Sequence, residues 1–167
     1  MPNAAYSQNT QPAPTHISVG VIVRLGFRAT DMDSGECLQF GDDLCYLHGG
    51  FGGVFPKVEA YLEGCRLLQT IELTLTPEEG YGHYDAQKRI QQPLHSIPPE
   101  ARAIGCVLEG EIGDNLALPF TVVDIDGDQV TLEGNHPWSG RNLHFAFEVL
   151  AIREASSAEQ ACGYPLY

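Results

Sequence analysis

From Ile17 to Phe27 the apolar residues Val19, Val21, Val23, Leu25 and Phe27 recur at every second position. That is the period of a β-strand with one buried face. The alternation returns from Leu67 to Leu75, where Ile71, Leu73 and Leu75 face one way and Thr70, Glu72 and Thr74 the other. It returns again from Leu143 to Ile152, where Phe145, Phe147 and Val149 share a face. In the first half one segment has helical spacing instead. Phe55, Val58, Tyr61 and Leu62 fall three and four apart, with Pro56 suited to a first helical position and Gly64 to a C-terminal cap. Several strands with one amphipathic helix predict an α+β domain, an antiparallel sheet wrapped around a short helix.

Turn chemistry joins these pieces. Asp31-Met32-Asp33-Ser34-Gly35 predicts a hairpin into Cys37–Phe40, and Asp126-Gly127-Asp128 predicts another between Phe120–Ile125 and Gln129–Leu132. Between the two lies a loop-rich middle broken by Pro93, Pro98 and Pro99, with a short helix around Pro98 to Arg102; Pro137-Trp138-Ser139-Gly140 is a further turn. A chain of 167 residues makes one domain, or one with a smaller companion. At that size it needs neither disulfides nor metal to fold.

Charge excludes more than it identifies. With 9 Lys+Arg against 22 Asp+Glu the net charge is −13, and no basic cluster interrupts the acidity. Nucleic-acid phosphates and an anionic membrane surface are therefore poor partners. The longest aliphatic stretch, around Val19 to Val23, falls far short of the ~20 residues a membrane span needs. Residues 1–15 are polar, rich in Pro and Gln, and read as a disordered tail, not a signal peptide. Five cysteines without a CxxC pair predict reduced thiols and a cytoplasmic protein.

Motifs for covalent or metal chemistry are weak. His48-Gly49-Gly50-Phe51-Gly52-Gly53 lacks the Lys and hydroxyl of a phosphate-binding loop and reads as a conformational loop. The histidines, His16, His48, His83, His95, His136 and His144, show no ligand spacing. Glu78-Glu79 reads as solvated surface, and there is no Gly-x-Ser-x-Gly elbow. What remains is an apolar set, Phe27, Tyr46, Val54, Phe55, Val58, Tyr81 and Phe145, which by composition alone is core.

Four words in order alter that reading. Tyr46-Leu47-His48-Gly49, the helix ending Leu62-Glu63-Gly64, Gly80-Tyr81-Gly82-His83-Tyr84-Asp85, and Gly134-Asn135-His136-Pro137 running into Ser139-Gly140 and Leu143-His144-Phe145 stand along the chain. With Phe147 to Glu154 they resemble the FKBP-type peptidyl-prolyl isomerases in their SlyD-like form, over about His16 to Glu154. The resemblance implies an isomerase domain made of residues 16–90 and 134–154, interrupted by a mostly β flap domain at 91–133 with chaperone function, and a C-terminal tail at 155–167. It implies a prolyl pocket lined by Phe27, Leu44, Tyr46, Val54, Phe55, Val58, Tyr81 and Phe145, with Gln39 at the position of the family's aspartate. Val54 and Phe55, opening the helix, would offer N–H groups to a substrate carbonyl. Tyr81 would hydrogen-bond the peptide and Phe145 would pack on the proline.

Rotating an Xaa–Pro bond breaks nothing, so neither cofactor nor metal is implied. Client binding in the flap would use exposed Ile97, Ile104, Val107, Leu108, Leu116, Leu118 and Phe120. The partners would be unfolded or proline-containing polypeptides, met by a monomer. Three positions depart from the family pattern. Phe27 replaces a tyrosine, Gln39 replaces the aspartate (with Asp42 or Asp43 as substitutes), and Lys57 replaces a small residue. The first two motivate a rival reading, a non-catalytic peptide-binding chaperone. The tail from Ala155 to Tyr167 holds no histidine, so the metal-binding tail common in the group is not expected.

Overall fold

The structure, a computed structural model, describes residues 13–112 and 116–166. Along the chain run β1 (Val21–Asp31), β2 (Cys37–Leu47), α1 (Pro56–Leu62), β3 (Thr70–Leu75), β4 (Arg89–Pro93), β5 (Val107–Ile112), β6 (Leu116–Asp126), β7 (Gln129–Glu133), β8 (Leu143–Glu154) and α2 (Ser157–Cys162). The chain forms two compact units. One runs to Glu79 and resumes at Asn142; the other is Gly80–Arg141, a wider span than the 91–133 insert. Both carry four-stranded antiparallel sheets, so the α+β expectation holds.

In the first unit the strand order is β2-β1-β8-β3. Alternation places Leu25, Phe27 and Ala29 in cross-strand rows with Val149, Phe147 and Phe145 of β8, and Ile71 and Leu73 of β3 extend the last two rows. These side chains form one apolar face, against which α1 turns its buried Val58 and Leu62. The first strand starts later than its pattern suggests. Gly20 turns the chain at φ 89°, leaving Val19 74% exposed. The first hairpin forms as expected, with Asp31 Oδ1 accepting from Asp33 N at 2.9 Å and its carbonyl from Gly35 N at 2.8 Å. Its return strand, however, runs on to Leu47 through an irregular register, in which Asp42 and Asp43 of β2 oppose Gly26 alone.

The expected C-terminal tail, 155–167, holds α2 within its described part. Ser156 and Glu159 form a capping box, and Arg153 grips the Glu159 carboxylate from both nitrogens at 2.8 and 2.6 Å. Ser156-x-x-Glu159 was the available signal in the sequence. The expected N-terminal tail, 1–15, lies outside the described residues up to position 12.

The second unit orders its strands β4-β7-β6-β5 around Ile97, Ala101, Phe120, Val122, Val130 and Leu132. The hairpin at Asp126–Asp128 is present, closed by the Asp126–Gln129 pair with Gly127 at φ 55°. The short helix around Pro98 is two single 3₁₀ turns, Leu94–Ser96 and Pro99–Ala101. Among the described residues no helix is long and apolar enough to cross a membrane.

Candidate active site

The apolar face of the first unit is the site's foundation. The Phe145 and Phe147 rings stack in parallel with centroids 5.5 Å apart. Phe145 is 6% exposed, while Phe27, Leu44, Val54 and Phe55 are half-buried. Val58 and Tyr46 are each 1% exposed, so they back the wall from within. Phe55 is the N-cap of α1, and its carbonyl accepts from Glu59 N at 3.0 Å. Gln39 is exposed on the edge strand β2, in the same row as Ala29 and Phe145.

The bulge in β2 settles which acid stands near this face. A methyl group built on Gly41 would lie 3.1 Å from Asp43 Oδ1 and 3.2 Å from Phe27 Cε1. Carboxylate and ring edge therefore converge above Gly41, where an added Cβ would push them apart by a few tenths of an ångström. Asp42 instead lines a groove of about 590 Å³ with Arg28, Phe40, Glu72, Glu148 and Leu150, whose alternation sets them on the opposite face. Lys57 is tied down, donating to Thr74 O at 2.8 Å and to both Glu79 oxygens at 3.0 and 2.8 Å.

A buried histidine braces the wall. His48, 2% exposed, meets Tyr46 Oη at 2.9 Å through Nδ1 and donates to Glu63 of the segment after α1 through Nε2. Burial, followed by the nearby Glu59, Cys65 and Glu63, pushes the Tyr46 phenol well above its ordinary value, so it stays protonated. The glycine loop beside His48 cradles an anion of its own. Gly49 N and Gly50 N donate to Glu59 Oε1 at 2.7 and 2.9 Å. Burial works against the Glu59 charge, but these two donors and His48 hold it below the usual carboxylate range. Gly53 is required by contact, since a Cβ there would sit 2.7 Å from Tyr46 Cβ. Sequence reasoning missed His48 and Glu63 because they are 15 positions apart.

Tyr81 belongs to the second unit. Its ring stacks on His136 with centroids 4.0 Å apart and planes 14° apart, and Trp138 stands edge-on to both at 5.2 and 5.8 Å. Burial raises the Tyr81 phenol and lowers the His136 imidazole. Trp138 N donates to His136 Nδ1 at 3.0 Å, which favours the neutral ring further.

The client-binding expectation needs correction in part. Ile97 and Phe120, expected to be exposed, are 4% and 0% exposed and form the second unit's own core. A unit this small has too few apolar residues to leave them outside. Leu108 and Leu118 are half-buried against that core, whereas Ile104 and Val107 are 69% and 64% exposed. The side chain of Leu116 lies outside the described residues. Among the described residues no three His, Cys, Asp or Glu side chains cluster to hold a metal ion.

No family model matches the chain. It is 32% identical over 150 residues to the FKBP-type peptidyl-prolyl cis-trans isomerase SlyD of Aeromonas hydrophila, covering 86% of this chain and 68% of that protein. The SlyD of Haemophilus influenzae is 34% identical over 124 residues, 72% of this chain and 63% of its own length, so the chain spans less than two thirds of that relative. The SlyD of Treponema pallidum is 27% identical over 143 residues, 84% of this chain and 80% of the relative. By these matches, and by an α+β architecture of two antiparallel sheets, the chain belongs to the SlyD-like FKBP-type peptidyl-prolyl cis-trans isomerases.

Proposed function

We propose that the chain catalyses cis/trans isomerisation of Xaa–Pro bonds in folding polypeptides, at the apolar face of its first unit. The observation that supports this best is the half-buried Phe27 beside the stacked Phe145 and Phe147, with the Asp43 carboxylate at its edge. Resonance sets a barrier of about 18–20 kcal/mol to rotation about the peptide bond. In the twisted state the imide loses resonance and charge separation, so an apolar wall that excludes water favours it over the planar forms. Each ~1.4 kcal/mol of that preference gives about tenfold in rate. The exposed Asp43 carboxylate beside the face meets the changing imide dipole.

The insert at 91–133, in the second unit, holds unfolded segments, and exposed Ile104 and Val107 support that role. Five free cysteines support a reducing, cytoplasmic setting. The test is a protease-coupled or NMR exchange assay on an Ala-Leu-Pro peptide. Faster exchange than in buffer supports the isomerase. The rival, a non-catalytic chaperone, rests on Phe27 lacking a hydroxyl and Gln39 standing exposed. It predicts suppressed client aggregation with no gain in exchange rate.

A further inference from the structure

Within the second unit, the segment that carries Tyr81 to Arg89 runs beside the segment from Glu133 to Gly140. Gly134 N donates to Lys88 O and Gly140 N to Gly82 O, each at 2.8 Å. Between these two points the link is a side chain. Asn135 Oδ1 accepts from Asp85 N at 2.9 Å and Nδ2 donates to Asp85 O at 2.8 Å, so the amide pairs with Asp85 as a strand backbone would. The second Nδ2 hydrogen goes to Glu133 Oε1 at 2.7 Å, which also accepts from Asn135 N at 2.9 Å. The other Glu133 oxygen accepts from Tyr84 Oη at 2.9 Å and Arg89 Nη1 at 3.2 Å. One amide and one carboxylate thus close a network of six bonds, four of which cross between the two segments.

The register this network sets is the one in which the rings meet. Tyr81 lies just before the locked Asp85 and His136 just after Asn135, and their rings stack at 4.0 Å with Trp138 against both. We propose that Asn135 is a positioning residue: its amide locks Asp85 to Glu133 and thereby holds Tyr81 in register with His136 and Trp138, the arrangement in which Tyr81 serves the prolyl peptide. The last clause rests on the isomerase reading above; the lock itself does not. An aspartate of the same shape cannot replace the amide, because it would set oxygen against Asp85 O and a second carboxylate against Glu133.

Trp138 is the chain's single tryptophan, so fluorescence excited at the red edge of the indole band reports this ring cluster alone. In the full-length protein, Asn135→Asp should shift Trp138 emission toward that of a more exposed indole. It should also lower kcat for an Ala-Leu-Pro peptide by about tenfold to a hundredfold, with KM little changed. Adding Glu133→Gln returns a donor opposite the new carboxylate and should recover part of both signals. Tyr84→Phe removes a single strut at an exposed side chain, spares the fold, and should move both readouts the same way by less. An unchanged Trp138 signal in these variants, or lost activity with the signal intact, overturns the proposal. If the wild type shows no isomerase activity, the functional reading fails, and the Trp138 signal still decides whether Asn135 positions the rings.

Discussion

On β2, Gln39 is exposed beside Ala29, while Asp43 sets its carboxylate next to the Phe27 ring above Gly41. Spacing along the sequence leaves Asp42 and Asp43 equally eligible, because adjacent residues of a strand face opposite ways and a bulge has no residue signature that says which one turns inward. The register of β1 against β2 decides it. Asp43→Asn should lower kcat/KM for Xaa–Pro peptides by about tenfold, whereas Asp42→Asn, on the opposite face, should leave it unchanged. Equal effects in a peptide assay would contradict the assignment. Glu159 makes a second argument at this scale. Arg153 and the N–H groups of Leu166 and Ser156 hold its carboxylate far below the ordinary 4.5, against burial. A depressed value means the charged form favours the fold: the contribution is complete above the ordinary glutamate value and is lost as pH falls through the folded one. Thermal unfolding from pH 7 down to 3 should show Glu159→Gln less stable than wild type at neutral pH, with the gap closing as the solution becomes acidic. A gap that stays constant across that range would count against the Arg153 clasp.

Elements with a clear period were legible and those defined by partners were not. The apolar alternation in β1, β3 and β8 shows which residues share the inner face, and Pro56 with the three-and-four spacing marks α1. β5 was missed because Val107-Leu108-Glu109-Gly110-Glu111-Ile112 carries two acids and a glycine where a strand pattern wants alternation. Tertiary packing explains that glycine. Phe120 is fully buried between Gly110 and Gly134, where added Cβ atoms would come within 2.8 Å of opposite edges of its ring. With both sides occupied the ring cannot step aside. Gly110→Ala should therefore destabilise the second unit by about 1–3 kcal/mol. Hydrogen exchange should show the loss confined to amides of Gly80–Arg141. Faster exchange spread equally over the sheet of β1, β2, β3 and β8 would contradict this.

At the scale of the whole molecule, the continuous chain holds two separately organised apolar cores, and the second lies within the sequence of the first. Proline clusters showed that the middle of the sequence differs from its flanks, but composition could not tell whether its apolar residues pack or stay open. Ile97 and Phe120 turned inward because the second unit needs them for its own core, which leaves Ile104 and Val107 as its exposed apolar surface. A net charge of −13 suits a protein with such surface, since self-repulsion opposes association. The division of labour proposed for the two units depends first on the apolar face of Phe27, Phe145 and Phe147. Its most direct test is the exchange rate between the cis and trans forms of an Ala-Leu-Pro peptide, measured by NMR with the intact chain at catalytic concentration. Exchange well above the buffer rate, rising in proportion to the folded protein added, is the predicted result; a rate equal to buffer from folded protein would contradict the account.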